Sequence, residues 1–164
     1  MVEGGAPLLR AARDADAADI IELIAAAFAE YPGCVLDLEA DMPELKAPAS
    51  SYAQDAGRFW IAQGVADAAR ILGCVACKPA PDGGLELEKL YVARGARRGG
   101  LGGRLLDLVE AEAAARQAGS ITLWTDTRFE AAHAFYAARG FRRTGQRRLD
   151  DASQSVEVGF RKDL

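Results

Sequence analysis

Apolar residues recur along this chain with two different periods, and the places where the period changes divide it into elements. Ile20, Leu23, Ile24, Ala27 and Phe28 stand at helical spacing and predict a first helix running to about Glu30. Asp14 or Asp16 supplies its N-cap, and "YPG" ends it. Leu101, Leu105, Leu108 and Val109 repeat the pattern in a second helix. "RFEAAHAFYAAR" reads as a third, short helix that Gly140 stops. Elsewhere alternation takes over. "APLLRAAR", "RFWIAQG", "RILGCVACKP", "LELEKLYVA" and "SITLWTD" read as strands, with "PDGG" as a turn. "FRRTGQRRL" and "QSVEVGFRKDL" form a last strand pair joined around Asp150 and Asp151. Residues 31–55 fit neither period. Pro32, Pro43 and Pro48 interrupt them, and the reading is a functional loop containing a helical turn. The order β-α-(loop)-β-β-β-α-β-α-β-β predicts an α/β (α+β) fold with a central antiparallel meander. Without a repeat or a linker, residues 1–164 are expected to form a single domain.

Composition narrows the class. Half of the residues are hydrophobic and 27% are charged, as in a globular protein with one real core. No apolar run reaches the roughly 20 residues that span a bilayer. The N-terminus lacks a basic segment followed by an apolar one, so a cytoplasmic protein with no membrane partner is expected. The formal net charge of −4 argues against a nucleic-acid partner. Arginine is nevertheless concentrated at Arg94, Arg97, Arg98 and Arg104, and again at Arg142, Arg143, Arg147 and Arg148, which suits a small anionic ligand. Cys74 and Cys77 form C-x-x-C, but residues three apart on a strand face opposite ways. With one other cysteine (Cys34) and one histidine (His133), no metal or redox site is expected.

The chemistry concentrates in "RGARRGGLGGRLLDLVEAE", residues 94–112, where five glycines fall within nine residues at the start of a helix. A helix N-terminus offers unpaired N–H groups and partial positive charge, a natural seat for phosphate. Glycine removes the Cβ that would hold an anion away, and arginine adds forked donors. Residues 97–104 therefore read as a polyphosphate site. The Gly-Lys-Ser/Thr of a P-loop is absent, and Leu105 stands where a dinucleotide fingerprint needs its third glycine. The structural alternative is a glycine-rich turn with solvated arginines.

"RRGGLG" resembles the R/Q-x-x-G-x-G/A signature of the GNAT acetyltransferase superfamily, with Arg97, Gly100 and Gly102 in the defining positions. "LYV" precedes it, and "AHAFYAARGF" is similar to a later segment of that family. The resemblance covers about residues 6–149 and implies a GNAT-like fold: a mixed, mostly antiparallel sheet of about six to seven strands with about four helices. It implies acetyl-CoA as cosubstrate, its pyrophosphate held by backbone N–H groups of Arg97, Arg98, Gly99, Gly100, Leu101 and Gly102, with Gly103 nearby. Leu90, Tyr91 and Val92 would pair with the pantetheine arm and polarise the thioester carbonyl. Tyr136 matches the tyrosine that protonates the departing thiolate, with a core aromatic as the alternative. Glu86 matches a catalytic glutamate position and Glu88 shares its strand parity; either could take the amine proton, or water alone could. His133 is expected to face solvent. Phe129 departs from the asparagine many members carry before the last helix. An acidic mouth of Asp37, Glu39, Asp41 and Glu44 with Asp150, Asp151 and Glu157 would attract an amine acceptor, either a small molecule or a peptide or protein. The implied reaction is N-acetylation by direct attack in a ternary complex, possible homodimerisation comes from the family's last strands, and a non-catalytic acyl-CoA-binding or regulatory module is the alternative.

Overall fold

The computed structural model describes residues 5–68 and 70–164, and it pairs the alternating segments into one seven-stranded sheet. The strands are β1 (Leu8–Ala11), β2 (Arg58–Gln63), β3 (Ile71–Pro79), β4 (Leu85–Val92), β5 (Ser120–Asp126), β6 (Arg142–Arg148) and β7 (Val156–Asp163). Their order is β1-β2-β3-β4-β5-β7-β6, antiparallel throughout except where β4 meets β5. Strand β4 has turned back from β3, whereas β5 returns through a helix, and that crossover makes the one parallel pair.

Alternation along the strands builds a core on each face of the sheet. Val75, Cys77, Leu85, Leu87, Ile121, Leu123, Val158 and Phe160 pack with Leu101, Leu105, Leu106 and Val109 of helix α4 (Leu101–Ala115) and Tyr136 of helix α5 (Glu130–Ala138). Cys74, Ala76, Phe59 and Ile61 pack with Ile20, Leu23 and Ile24 of helix α1 (Ala17–Ala29) and with Tyr52 of helix α3 (Pro48–Gln54). The C-x-x-C pair is thereby divided between the two cores, as strand parity requires. All three cysteines are free, and burial pushes the Cys77 thiol up to about 11. No cluster of metal-ligating side chains occurs among the described residues. No described helix is long and apolar enough to cross a membrane.

Residues 31–55 correct the expectation of a loop with one helical turn. They hold helix α2 (Leu38–Asp41), a 3-10 helix at Pro43–Lys46 and helix α3. Pro43 and Pro48 begin their helical segments, where the missing N–H has no intrahelical partner to lose. Asp37 caps α2 by accepting from Ala40 N–H at 3.1 Å. Asp14 is a second correction. It caps α3 rather than α1, accepting the Ser50 N–H at 2.9 Å. Asp16 makes no side-chain cap to α1 and instead pairs with Arg10 at 2.8 Å.

Strand β4 carries the feature that shapes the site. Ala76 opposes Glu88 but Cys74 opposes Tyr91, so two residues of β4, Lys89 and Leu90, face the single Val75. Lys89 takes a left-handed φ of 55° at this bulge, and the Cys74 thiol donates to its carbonyl at 3.1 Å. Parity flips there: Leu85 and Leu87 face the α4 core before the bulge, and Leu90 and Val92 after it.

Leu105 is fully buried and sits where Gly73 lets α4 close on β3; a Cβ at Gly73 would lie 2.9 Å from Leu105 Cδ1. Leu105→Ala should lower stability by about 2–5 kcal/mol, read from the urea midpoint at unchanged slope.

Candidate active site

The glycine stretch leaves β4 through a 3-10 turn at Arg94–Ala96 and enters α4 at Gly100, whose φ is 78°. Arg98 is also left-handed, at 69°. The N–H groups of residues 98–103 take no backbone acceptor among the described residues, and the ladder starts with Arg104 N–H on Gly100 O at 3.1 Å. Protein packing accounts for only part of the glycine content. Gly100 needs its positive φ, and a Cβ at Gly103 would come within 3.1 Å of Arg139 Nη1. At Gly102, however, a Cβ would meet nothing closer than Phe135 at 3.7 Å, and at Gly99 nothing closer than Ala96 O at 4.0 Å. The bare backbone there leaves a cradle open beside unpaired donors at the positive end of a helix.

Arg97 is used differently from expectation. Its guanidinium grips Glu30 with both Nη atoms at 2.8 Å, and its Nε donates to Val92 O at 3.1 Å. Glu30 and Val92 have therefore taken its forked donors, and the side chain clamps the loop to α1. Arg98 is exposed and makes no ion pair among the described residues, so the uncommitted guanidinium beside the cradle is the one next along the chain.

From the cradle a cleft of about 940 Å³ runs through the sheet. Strands β4 and β5 pair only at Leu85↔Ile121 and Glu86↔Thr122. Beyond that point they diverge, and Leu87–Val92 line one wall while Trp124–Asp126 line the other. The sequence-predicted Leu90, Tyr91, Val92, Arg97, Arg98, Gly100, Leu101, Gly102 and Gly103 all border this cleft, and Gly99 lies between two of them.

Tyr136 is buried against Phe135, Phe141 and Phe160, with ring centroids 5.4–5.8 Å apart. It borders the cleft, and its hydroxyl makes no hydrogen bond to a described residue. Burial pushes the phenol above its ordinary value, so it is protonated at neutral pH. His133 lies on the same helix but does not face solvent as expected. Its Nε2 donates to Asp126 O at 2.9 Å and its ring packs near Phe160, because α5 lies against the end of β5.

The two glutamates separate. Glu88 borders the cleft; Glu86 does not. Glu88 accepts from Tyr52 Oη at 2.6 Å and pairs with Lys78 Nζ at 2.8 Å. Burial alone would raise its carboxyl, but the Lys78 and Tyr52 hydrogen bonds and the Lys89 charge hold it below the usual range. Glu86 is pushed up, first by burial and then by the charge of Glu88.

The acidic mouth is narrower than the composition suggested, because most of its carboxylates have found local partners. Glu44 pairs with Lys89 at 3.0 Å, Glu157 with Arg147 at 2.7 Å, and Glu39 with Lys46. Asp37 is occupied by its cap, and Asp151 accepts the N–H and hydroxyl of Ser155, each at 2.7 Å. Asp41 and Asp150 border the cleft with no ion pair among the described residues. Burial, then the charges of Asp151 and Asp37, raise the Asp41 carboxyl.

Around this mouth stand residues that sequence reasoning passed over. Phe129 packs on Tyr31 at 4.8 Å and on Phe28 at 6.2 Å, and Phe28 lies 6.2 Å from Tyr91. Trp124 lies under the Arg147 guanidinium, 4.3 Å from its ring centroid. Ser153 Oγ accepts the Val35 N–H at 2.8 Å and donates to Val35 O at 3.0 Å, while Arg128 donates to Ser153 O at 3.2 Å. Only the departure at Phe129 gave a signal for this wall in the sequence.

Residues 19–141 match the model of the Acetyltransferase (GNAT) family, and the chain belongs to that family. The Xenopus tropicalis protein named Probable N-acetyltransferase 14 is 35% identical over 123 residues, 74% of this chain; the chain spans 58% of that relative's length. The fold is similar to a GNAT-family acetyltransferase from Staphylococcus aureus Mu50, with a TM-score of 0.85 at 23% identity, covering 97% of this chain and 99% of that one. It is also similar to Salmonella typhimurium yncA, whose structure holds its cofactor acetyl-CoA, with a TM-score of 0.75 at 17% identity over 98% and 95% of the two chains. The mixed, mostly antiparallel sheet expected from the sequence is the fold these proteins share.

Tyr52→Phe removes a donor to a charged carboxylate. The Glu88 carboxyl should then titrate at higher pH, seen by carbon NMR of its side chain. Because the folded value is depressed, the stabilisation is present above the unfolded carboxylate value of about 4.3 and fades as pH falls below it. The variant should thus lose about 1.5–3 kcal/mol at pH 7 and less under acid, by urea titration at both.

Proposed function

We propose that this family member transfers an acetyl group from acetyl-CoA to a primary amine, by direct attack while both are bound in the cleft. The observation that carries this reading is the open N-terminus of α4: N–H donors at residues 98–103 have no backbone acceptor among the described residues, and they stand beside Gly99 and Gly102, whose missing Cβ atoms packing does not require. When bound there, acetyl-CoA supplies an acetyl group activated as a thioester. The N–H groups of Arg98 to Gly103 would hold its pyrophosphate, with the Arg98 guanidinium adding charge, while Arg97 fixes the loop through Glu30. Leu90 to Val92 present a β4 edge that β5 has left, so their main chain can bond the extended arm and direct one N–H at the carbonyl oxygen. The yncA structure with acetyl-CoA supports the choice of cosubstrate.

Tyr136 carries a proton at neutral pH and borders the cleft with a hydroxyl that has no hydrogen-bond partner among the described residues, which suits it to protonate the leaving sulfur. Glu88 is the carboxylate on the cleft wall. With both oxygens engaged it is a weak base, so its part is to orient the amine and a water that carries the proton away. Glu86, two residues earlier on β4 and raised by burial, receives that proton more readily. No residue in this scheme requires a metal.

Adding an amine to the protein and acetyl-CoA should release free thiol, read continuously with a thiol reagent. Coenzyme binding without thiol release from any amine would mark a non-catalytic acyl-CoA module instead. Tyr136→Phe should lower kcat by about 10²–10⁴-fold with coenzyme affinity intact by calorimetry. Gly102→Ala separates stability from function. It should leave the free protein as stable or more stable, by up to about 1 kcal/mol, while weakening acetyl-CoA at least about tenfold.

A further inference from the structure

We propose that the acceptor is a small molecule bearing a single ammonium group on an aromatic body, with the body against Phe28, Tyr31 and Phe129. This narrows the acetyl-transfer reading and rests on it.

Three observations point the same way. The first is the wall itself. Tyr31 and Phe129 pack at 4.8 Å and Phe28 joins them at 6.2 Å, and all three border the cleft. Trp124 and Met42 extend the same lining. A pocket that sought only an ammonium group would gain nothing from this much aromatic surface, whereas an aromatic acceptor meets offset and edge-on partners on it.

The second is charge. A polyamine needs several separated carboxylates, and here the separated ones are consumed: Glu44 by Lys89, Glu157 by Arg147, Glu39 by Lys46. Among the described residues Asp41 and Asp150 make no ion pair, and they share one mouth with Asp151, which accepts only from Ser155. That cluster suits one cation, not a chain of them.

The third is the roof. Ser153 exchanges two hydrogen bonds with Val35, at 2.8 and 3.0 Å, and Arg128 ties Ser153 O at 3.2 Å. These bonds join the segment after α1 to the turn between β6 and β7, and Val35 and Ser153 both border the cleft. A polypeptide threaded there would have to break them, but a small molecule would not.

The test compares initial rates of thiol release at saturating acetyl-CoA for 2-phenylethylamine, ethylamine, spermidine and a short peptide with a free N-terminus. The expected result is a kcat/KM for 2-phenylethylamine at least about tenfold above each of the others, since even one well-buried methylene discriminates by about that factor. Phe129→Ala should erase most of the preference over ethylamine through KM, and Phe129→Leu, which keeps apolar volume for folding, should erase part of it. Equal or better rates with ethylamine, spermidine or the peptide overturn the proposal and leave acetyl transfer standing. Coenzyme binding without thiol release from any of the four overturns acetyl transfer itself, and this proposal with it.

Discussion

Strand β4 offers hydrogen bonds on both edges along eight residues, but β5 pairs with only the first two of them, Leu85 and Glu86. In the middle of a sheet this is costly, because an unpaired backbone group screened from water loses about as much as a broken hydrogen bond. The divergence persists because each strand is held elsewhere. β4 is registered on β3, with its bulge carbonyl taken by the Cys74 thiol, and β5 is registered on β7 along all seven of its residues. Neither strand can move to close the gap without giving up its other partner. The cleft is therefore a property of the sheet, and an extended ligand with its own donors and acceptors is what would complete it.

Charge is sorted along this cleft by what pairs with what. Near α4, Glu30 and Val92 O engage Arg97, leaving the helix N-terminus and Arg98 as the positive elements. At the other end Lys89 and Arg147 are each matched to a glutamate, and the surplus is the aspartate cluster. A chain of slightly negative net charge thus presents both a positive seat and a negative seat on one cleft. The ion pairs between them serve less as sources of stability, since partly exposed pairs contribute little, than as a means of removing charge from the middle.

Much of this was legible in the sequence, for reasons of period. Strand alternation and the α4 stripe report burial directly, so element order, the split of Cys74 from Cys77 and the strand pairing around Asp150 follow from them. The glycine loop was legible because unprotected backbone leaves a mark in composition. What stayed hidden depends on partners distant in the chain. Nothing in "LELEKLYV" announces a left-handed Lys89, since the bulge is stabilised by Cys74 fifteen residues away. The Arg97 clamp needs Glu30, the Asp14 cap needs Ser50, and the aromatic wall joins Phe28 and Tyr31 to Phe129. Pro43 and Pro48 misled because proline breaks a helix interior but suits a helix start.

The pair Glu86 and Glu88 shows how one strand face can push two carboxyls in opposite directions. Both sit on the same side of β4 ahead of the bulge, two residues apart. Lys78 stands opposite Glu86 in register, yet its ammonium reaches across to Glu88, which Tyr52 also holds. The charge this fixes on Glu88 is then a leading reason, after burial, that Glu86 holds its proton more tightly. Pushing two neighbouring carboxyls in opposite directions is a general route to an acid and a base in one site. Here the separation depends on a phenol contributed by α3, an element of the segment that had read as a loop. That segment therefore bears on the cleft wall at Glu88 as well as on the mouth at Asp41.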